Sequence, residues 1–316
     1  MDTGRTDSVF PRVEVPAAVR DCLKVPFVSV IIPVLDDPEG LRACLTALAA
    51  QTYPAGRFEV VIVDNGSGSP PSDVVAAHDF ARLEIEPAPG SYAARNRGIE
   101  VARGEVLAFT DADCLPAPDW LERGIAALVA GAPGIVAGRI EAFPKTPGKP
   151  TPVELYDILY GYRQRFAVEN NHSCFTANVL CPRSLIEDVG PFDATLLSGG
   201  DMEWSRRAHW RGYPVRYADD TLVRTPARGS LRALIRRTRR FAGGSRGLRR
   251  LREAGTPWLA RPPSRWPVRR EDLRLLFSYP QAPVSAKLLT MAVALLVRAS
   301  FAFESARLRL GARPLR

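Results

Sequence analysis

The segment VLAFTDADC, residues 106–114, confines the fold more than any other stretch of this chain. A short apolar run stops at two acids one residue apart, Asp111 and Asp113. Burying Val106 to Phe109 while presenting carboxylates at the strand end suits a hard divalent cation. In open α/β sheets that end is also where ligands bind. An Asp-x-Asp alone recurs by chance, so the surrounding residues must carry the assignment.

Those residues repeat one unit. Phe27 to Val34 (FVSVIIPV) is continuous and β-branched, as a buried parallel strand should be. Pro38-Glu39-Gly40 opens an amphipathic stretch whose Leu41, Leu45 and Leu48 share one helical face. Phe58 to Val63 is a second strand, running into Asp64-Asn65-Gly66-Ser67. Ser72 is placed as the cap of a short helix before a brief strand at 83–85. Ser91 is placed as the cap of a helix to Ala102, and Gly104 precedes a strand over 105–110. Repeated β-α units of this length predict an α/β fold, a doubly wound and mostly parallel sheet with helices on both faces.

Beyond Ile140 the pattern changes. Phe143 to Pro152 holds four prolines and two lysines and reads as an exposed loop. A helix over 153–168, a strand over 173–180 and a helix over 201–210 are expected next. From Pro226 to Pro280 fifteen arginines face three acids, a net of +12, which leaves −3 for the rest of a chain of net charge +9. This basic, helical region is expected as an appendage. A solvated face and contact with phosphates of an anionic membrane or a lipid-linked acceptor are both open readings. Nucleic acid is not expected, because no recognised motif or aromatic interleaving accompanies the arginines. Leu288 to Val297 are ten uncharged positions, short of the ~18 to 20 that span a bilayer. Packing on the domain, a tilted span, or an interfacial helix with Arg298, Arg307 and Arg309 toward headgroups all remain.

Five widely spaced cysteines with no C-x-x-C pair fit small buried hydrophobes and a reducing cytoplasm better than disulfides or zinc. The first fifteen residues lack an apolar signal core, so a cytoplasmic protein is expected, peripheral on the membrane's inner face if the basic region docks there. Acids end three strands, at Asp36-Asp37, Asp64 and Asp111-Asp113. Parallel strands would gather them along one crevice, where crowded carboxylates need a cation or hydrogen-bond donors. Helix capping explains Asp36 or Asp37 alone but not all three clusters.

SVIIPVLDD, FEVVIVDNGS, SYAARNRGIEVARGEVLAFTDADC and GPFDATLLSGGDMEWSRRAHWRG, in that order, resemble the successive motifs of family 2 glycosyltransferases with the GT-A fold. The likeness covers roughly residues 27–245. It implies a GT-A domain over 27–225, between an N-terminal extension (1–26) and the arginine-rich helical region (226–316). It also implies an inverting, metal-dependent transfer from a nucleotide-sugar donor to a glycan or lipid-linked acceptor. By the same resemblance Pro33, Val34, Asp36, Asp64, Asn65, Arg95, Asp111 and Ala112 hold the donor. Asp113, with Asp111, holds Mg²⁺ or Mn²⁺, and Asp201 is the general base at a helix start, where the helix N-terminus favours its ionised form.

The chain departs from the family pattern in places. Gly200 stands where an acid usually precedes the base, with Glu203 as a substitute two residues on. Leu35 replaces a frequent aromatic, and no histidine lies near Val223-Arg224-Thr225, so Arg224 is a candidate for the missing positive charge. His172 and Asn178 are weighed as sugar contacts and Trp204 as a sugar-stacking ring, each against a structural role. Arg236, Arg237, Arg239 and Arg240 are weighed as phosphate contacts, and Cys114 is read as packed rather than redox-active. A sugar-1-phosphate nucleotidyltransferase would want a Gly-rich basic loop after the first strand, which Pro33 to Asp37 is not. A non-catalytic membrane-surface protein on the same fold would have lost carboxylates that this chain keeps.

Overall fold

The computed structural model describes residues 25–259 and 270–314. Most of the expected N-terminal extension, Cys22, and Arg261, Arg265 and Arg269 of the basic run lie outside the described residues.

The first half is a wound α/β unit. Strands β1 (Val28–Val34), β2 (Phe58–Asp64), β3 (Ala81–Ile85) and β4 (Val106–Phe109) lie parallel in the order β3-β2-β1-β4. Alternate residues of these strands feed opposite faces. Val28, Val30, Ile32, Val60 and Ile62 pack under α1 (Pro38–Ala49), with its Leu41, Leu45 and Leu48. Ile31, Leu107 and Phe109 pack on the other face, toward α3 (Ser91–Val101) and its Tyr92. Between them lies the short α2 (Ser72–Ala76). Both serines placed as caps are instead the first helical residues. Pro71 and Gly90 stand at the cap positions and make no side-chain cap bond.

The second half completes an eight-stranded mixed sheet, continuing from β4 through β7 (Val179–Pro182), β6 (Ile135–Phe143), β8 (Val215–Pro226) and β5 (Leu115–Pro116). After β5 (Leu115–Pro116) and α4 (Trp120–Val129) come two strands missing from the sequence reading, β6 (Ile135–Phe143) and β8 (Val215–Pro226). They pair in parallel with a register shift at Gly138/Arg139. The helix expected over 153–168 is two helices, α5 (Pro152–Tyr160) and α6 (Gln164–Asn171). Thr151 and Glu154 start α5 with a capping box, and the Arg237 guanidinium takes the Gly161 carbonyl at its end. The strand expected over 173–180 is only β7 (Val179–Pro182), antiparallel to β4; His172 ends α6 in the left-handed region, and a turn at 176–178 precedes the strand.

Helix α7 (Arg183–Val189) leads to α8 (Gly200–Trp210). The basic region is helical as expected: α9 (Leu231–Glu253), a 3₁₀ turn at Pro257–Leu259, α10 (Arg270–Ser278) and α11 (Val284–Arg309). It is fastened along α5. Tyr156 of α5, Leu234 of α9 and Val293 and Val297 of α11 form one apolar cluster. Helix α9 also runs tight against the loop before α8: a Cβ on Gly244 would lie 2.2 Å from the Ser198 carbonyl oxygen. Gly244→Ala is expected to cost about 1 to 3 kcal/mol by overpacking. Denaturant unfolding would show it as a lower midpoint at unchanged slope.

Candidate active site

Pairing fixes where the acids stand. Val34 at the end of β1 is level with Asp64 at the end of β2, and Ile31 is level with Phe109 of β4. Strand β4 thus stops three residues short of the end of β1, and the chain leaves the ladder there at residues 110–113. Asp111 and Asp113 face a cleft of about 2350 Å³, which Pro33, Val34, Asp37, Asn65, Arg95 and Asp201 also line. One carboxylate oxygen each of Asp111 and Asp113 and the Cys114 sulfur lie within 4.8 Å of one another.

Burial, then the neighbouring Asp111 charge, pushes the Asp113 carboxyl up to about 6, against the pull of Arg228. Asp111 is tied instead: its Oδ1 accepts from Arg95 Nη2 at 2.5 Å. Burial and the two acids hold the Cys114 thiol well above its ordinary range, so it stays protonated. That agrees with a packed small residue, and a soft sulfur suits a hard cation less than the two carboxylates do.

Across the cleft, Gly199 with φ +83° begins α8, and Asp201 stands in its first turn. Asp201 Oδ1 accepts from the Tyr92 hydroxyl at 3.1 Å and from the Met202 amide at 2.9 Å. Among the described residues no hydrogen bond goes to Oδ2. Arg95, buried, lies 5.7 Å from the Tyr92 ring centroid. One arginine–tyrosine bridge thus joins the Asp111 side of the cleft to the Asp201 side. The Met202 amide in the first turn of α8 favours the ionised form of Asp201, as the sequence suggested, but burial outweighs it. Burial raises its pKa, opposed chiefly by Arg95.

Sequence comparison names the scaffold. Residues 29–190 match the profile of Glycosyl transferase family 2, and residues 110–306 that of Glycosyl transferase family group 2. This chain belongs to glycosyltransferase family 2. Glycosyltransferase AglE of Haloferax volcanii is 39% identical over 209 residues, 65% of this chain and 68% of that protein. A pre-mycofactocin glycosyltransferase of Mycobacterium tuberculosis is 34% identical over 228 residues, 69% of this chain; the match spans under half, 46%, of that longer protein. Among solved structures, mannosyltransferase PcManGT from Pyrobaculum calidifontis, in complex with GDP-Man and Mn²⁺, superposes with a TM-score of 0.60. It is 21% identical, and the match covers 89% of this chain and 86% of that one. The protein is a glycosyltransferase on a GT-A-type fold, and neither the nucleotidyltransferase nor the non-catalytic reading stands.

Around that cleft the expected residues divide between its lining and its rim. Asp36 has φ +51° and turns outward, accepting from the Gly68 amide, while Asp37 caps α1 and lines the cleft. Asp64 lies buried beneath the rim, its Oδ2 accepting from the amides of Gly66 and Ser67 and its Oδ1 unpartnered. Asn65 braces the cleft wall through the carbonyls of Glu86 and Ala88 and the amide of Gly90. Ala112 lines the cleft between the two acids.

Glu203 is buried, paired with Arg207 at 2.9 Å and accepting from the Trp258 indole. It locks the 3₁₀ turn to α8 and does not line the cleft. Glu203→Gln is therefore expected to cost about 1 to 3 kcal/mol of stability. Turnover of the folded variant should stay near wild type, and paired unfolding and rate measurements would show both. Gly200 has its own reason: a Cβ there would lie 2.8 Å from the Tyr92 ring.

Trp204 is fully buried against Phe192, donating to the Gly190 carbonyl, so it stacks on no sugar. The buried Asn178 amide closes the register shift through the carbonyls of Arg139 and Thr221. His172 stacks on His209 at 3.9 Å. Arg224 is exposed over the Phe143 ring. Of the four arginines weighed as phosphate contacts, Arg237 and Arg240 line the cleft, whereas Arg239 pairs with buried Glu304 and Arg236 is exposed.

Two residues were missed, Asp157 and Arg228, and Arg237, already weighed as a phosphate contact, joins them. Asp157, a buried acid on α5, holds Arg228 at 3.1 Å and Arg237 at 2.8 Å. Arg237 lies 4.9 Å from the Tyr162 ring centroid. Two guanidinium groups share one carboxylate, leaving positive charge in the cleft and near Asp113. An acid inside the apolar run LYDILY, residues 155–160, was the available signal.

Proposed function

We propose that this glycosyltransferase moves a sugar from a nucleoside diphosphate sugar to an acceptor hydroxyl with inversion at the anomeric carbon. One observation carries the reading. A single cleft sets the Asp111–Asp113 pair and surplus arginine charge on one side and a separate carboxylate, Asp201, on the other.

Pro33, Val34, Asn65, Arg95, Asp111 and Ala112 form the donor side. Asp64 holds the Gly66–Ser67 turn of its rim, and Asp36 braces that turn from outside. Arg228 and Arg237 offer the diphosphate a positive wall. The carboxylate oxygens of Asp113 and Asp111 are hard donors that would hold Mg²⁺ or Mn²⁺. Bound there, the cation supplies charge neutralisation at the leaving diphosphate. The structural relative solved with GDP-Man and Mn²⁺ supports this donor class.

Asp201 acts as the base. Tyr92 and the Met202 amide fix Oδ1, leaving Oδ2 for the acceptor proton. As the acceptor oxygen bonds to the anomeric carbon, the bond from that carbon to the diphosphate oxygen breaks and the proton passes to Asp201. Its raised pKa brings it closer to the working pH of a base than an exposed aspartate would be. The acceptor is a glycan or lipid-linked hydroxyl.

A thermal-unfolding screen of nucleoside diphosphates with and without Mn²⁺ tests the reading. The matching nucleotide should stabilise by about 2.7 kcal/mol at a hundredfold excess over Kd, and only with the cation. No stabilisation by any nucleoside diphosphate would overturn it.

A further inference from the structure

Helix α11 is built inside out. Its 26 residues are long and apolar enough by composition to cross a bilayer. Its large exposed side chains are Val284, Leu288, Leu289, Leu295, Leu296, Phe301 and Phe303, with Leu295 64% and Phe303 67% exposed. The other exposed positions from 284 to 306 are Ser285, Ala292, Ala299, Ala302 and Ala306, so none is charged. At 1.5 Å per residue the uncharged face runs about 33 Å. An apolar patch of that length on a soluble surface marks an interaction site.

The charges of this helix turn the other way. Lys287 is buried and donates to the Phe277 carbonyl. Glu304 is fully buried between Arg239 and Arg307. Arg298 lines the cleft. The arrangement with Arg298 and Arg307 toward headgroups is thus reversed.

These inner contacts also exclude a span. Thr290 donates to the Pro152 carbonyl, Val293 and Val297 pack on Tyr156 and Leu234, and the Leu308 carbonyl accepts from Arg246. The helix is fastened side-on to α5 and α9 along its length. Crossing a bilayer would drag the arginines of α9 into hydrocarbon.

Charge around the face selects the occupant. Of the acids after Pro226 whose side chains are described, Asp272 and Glu304 are buried and Glu253 is exposed. Arg232, Arg236, Arg240, Arg274, Arg309 and Arg313 are exposed. Leu275 and Phe277 of α10 add exposed apolar surface beside the arginines. A second copy would bring like charge against like, whereas an anionic lipid surface complements both the apolar face and its basic frame.

We propose that the outer face of α11 lies in the plane of an anionic bilayer, seating the enzyme side-on as a monotopic membrane protein. Leu295 and Ala302 belong both to this face and to the far wall of the cleft. Seating therefore brings the cleft rim to the lipid. Resting on the transferase reading above, that favours an acceptor presented from the membrane.

Flotation of the full chain with phosphatidylcholine vesicles, with and without phosphatidylglycerol, tests the seating without needing activity. The wild type should float with the anionic vesicles, and more strongly at low salt. Replacing Leu288, Leu289, Leu296 and Phe303 by Ser, all outside the cleft, should lower partitioning by about a hundredfold or more. If that variant loses its helical circular dichroism, Leu296→Ser with Phe303→Ser serves instead, with a loss of about tenfold or more. Arg232→Glu with Arg236→Glu should remove mainly the anionic preference. Wild type that sediments from both vesicles at low salt, or a folded Ser variant that floats like wild type, overturns the proposal. So does a wild-type dimer that binds no vesicle and that the Ser variant dissociates.

Discussion

Asp113→Ala should abolish transfer and remove the cation dependence of nucleoside diphosphate binding. The site has few hard ligands to lose: Asp111 already gives Oδ1 to Arg95, and Cys114 is held as a thiol. Without Asp113 a cation would keep one free carboxylate oxygen of the pair. Protons compete for the same group. With its carboxyl at about 6, Asp113 is increasingly protonated as pH falls through that value. Apparent Mn²⁺ affinity, measured calorimetrically with the nucleotide present, should therefore weaken below about pH 6 and level off above it. Near wild-type turnover of Asp113→Ala in divalent-free buffer would end the metal-dependent reading.

Asp201→Asn is the second large effect. The amide keeps the shape and removes the proton acceptor, so turnover should fall by about 10² to 10⁴ while donor affinity stays nearly unchanged. The wild-type acid limb should sit above the ordinary carboxylate range, because the active form is the ionised one and burial raises the pKa. Activity is thus lost as pH falls through that raised value. Tyr92→Phe removes one bond to Oδ1 but keeps the ring against Gly200. It should alter turnover and the acid limb more than donor affinity, and steady-state profiles would separate the two.

The wound half of the fold was legible because each strand there is an unbroken apolar run. Strands β6 and β8 were not. IVAGRIEAF breaks at the register shift, and VRYADDTLVRTP carries charges along a partly exposed strand, so neither shows a clean period. The break between α5 and α6 depends on Arg237, seventy-six residues from the Gly161 carbonyl it holds, and no local pattern announces that. The acids at strand ends were readable as a group, yet which of them face the cleft was not. Asp36 and Asp64 are turned by backbone amides of the Gly66–Gly68 loop. Asp201 and Glu203 could be told apart beforehand, because residues two apart lie on different helix faces. Arg228 could not be chosen over Arg224, since the choice depends on where the chain turns after β8.

The most direct test of the single-displacement account is the anomeric configuration of the first product. With the donor from the stabilisation screen and an acceptor that accepts it, proton NMR of the new glycosidic linkage gives the answer from coupling constants. An α-linked nucleotide sugar should yield a β-linked product, as attack opposite the departing diphosphate with Asp201 as base requires. An α-linked product would contradict the account.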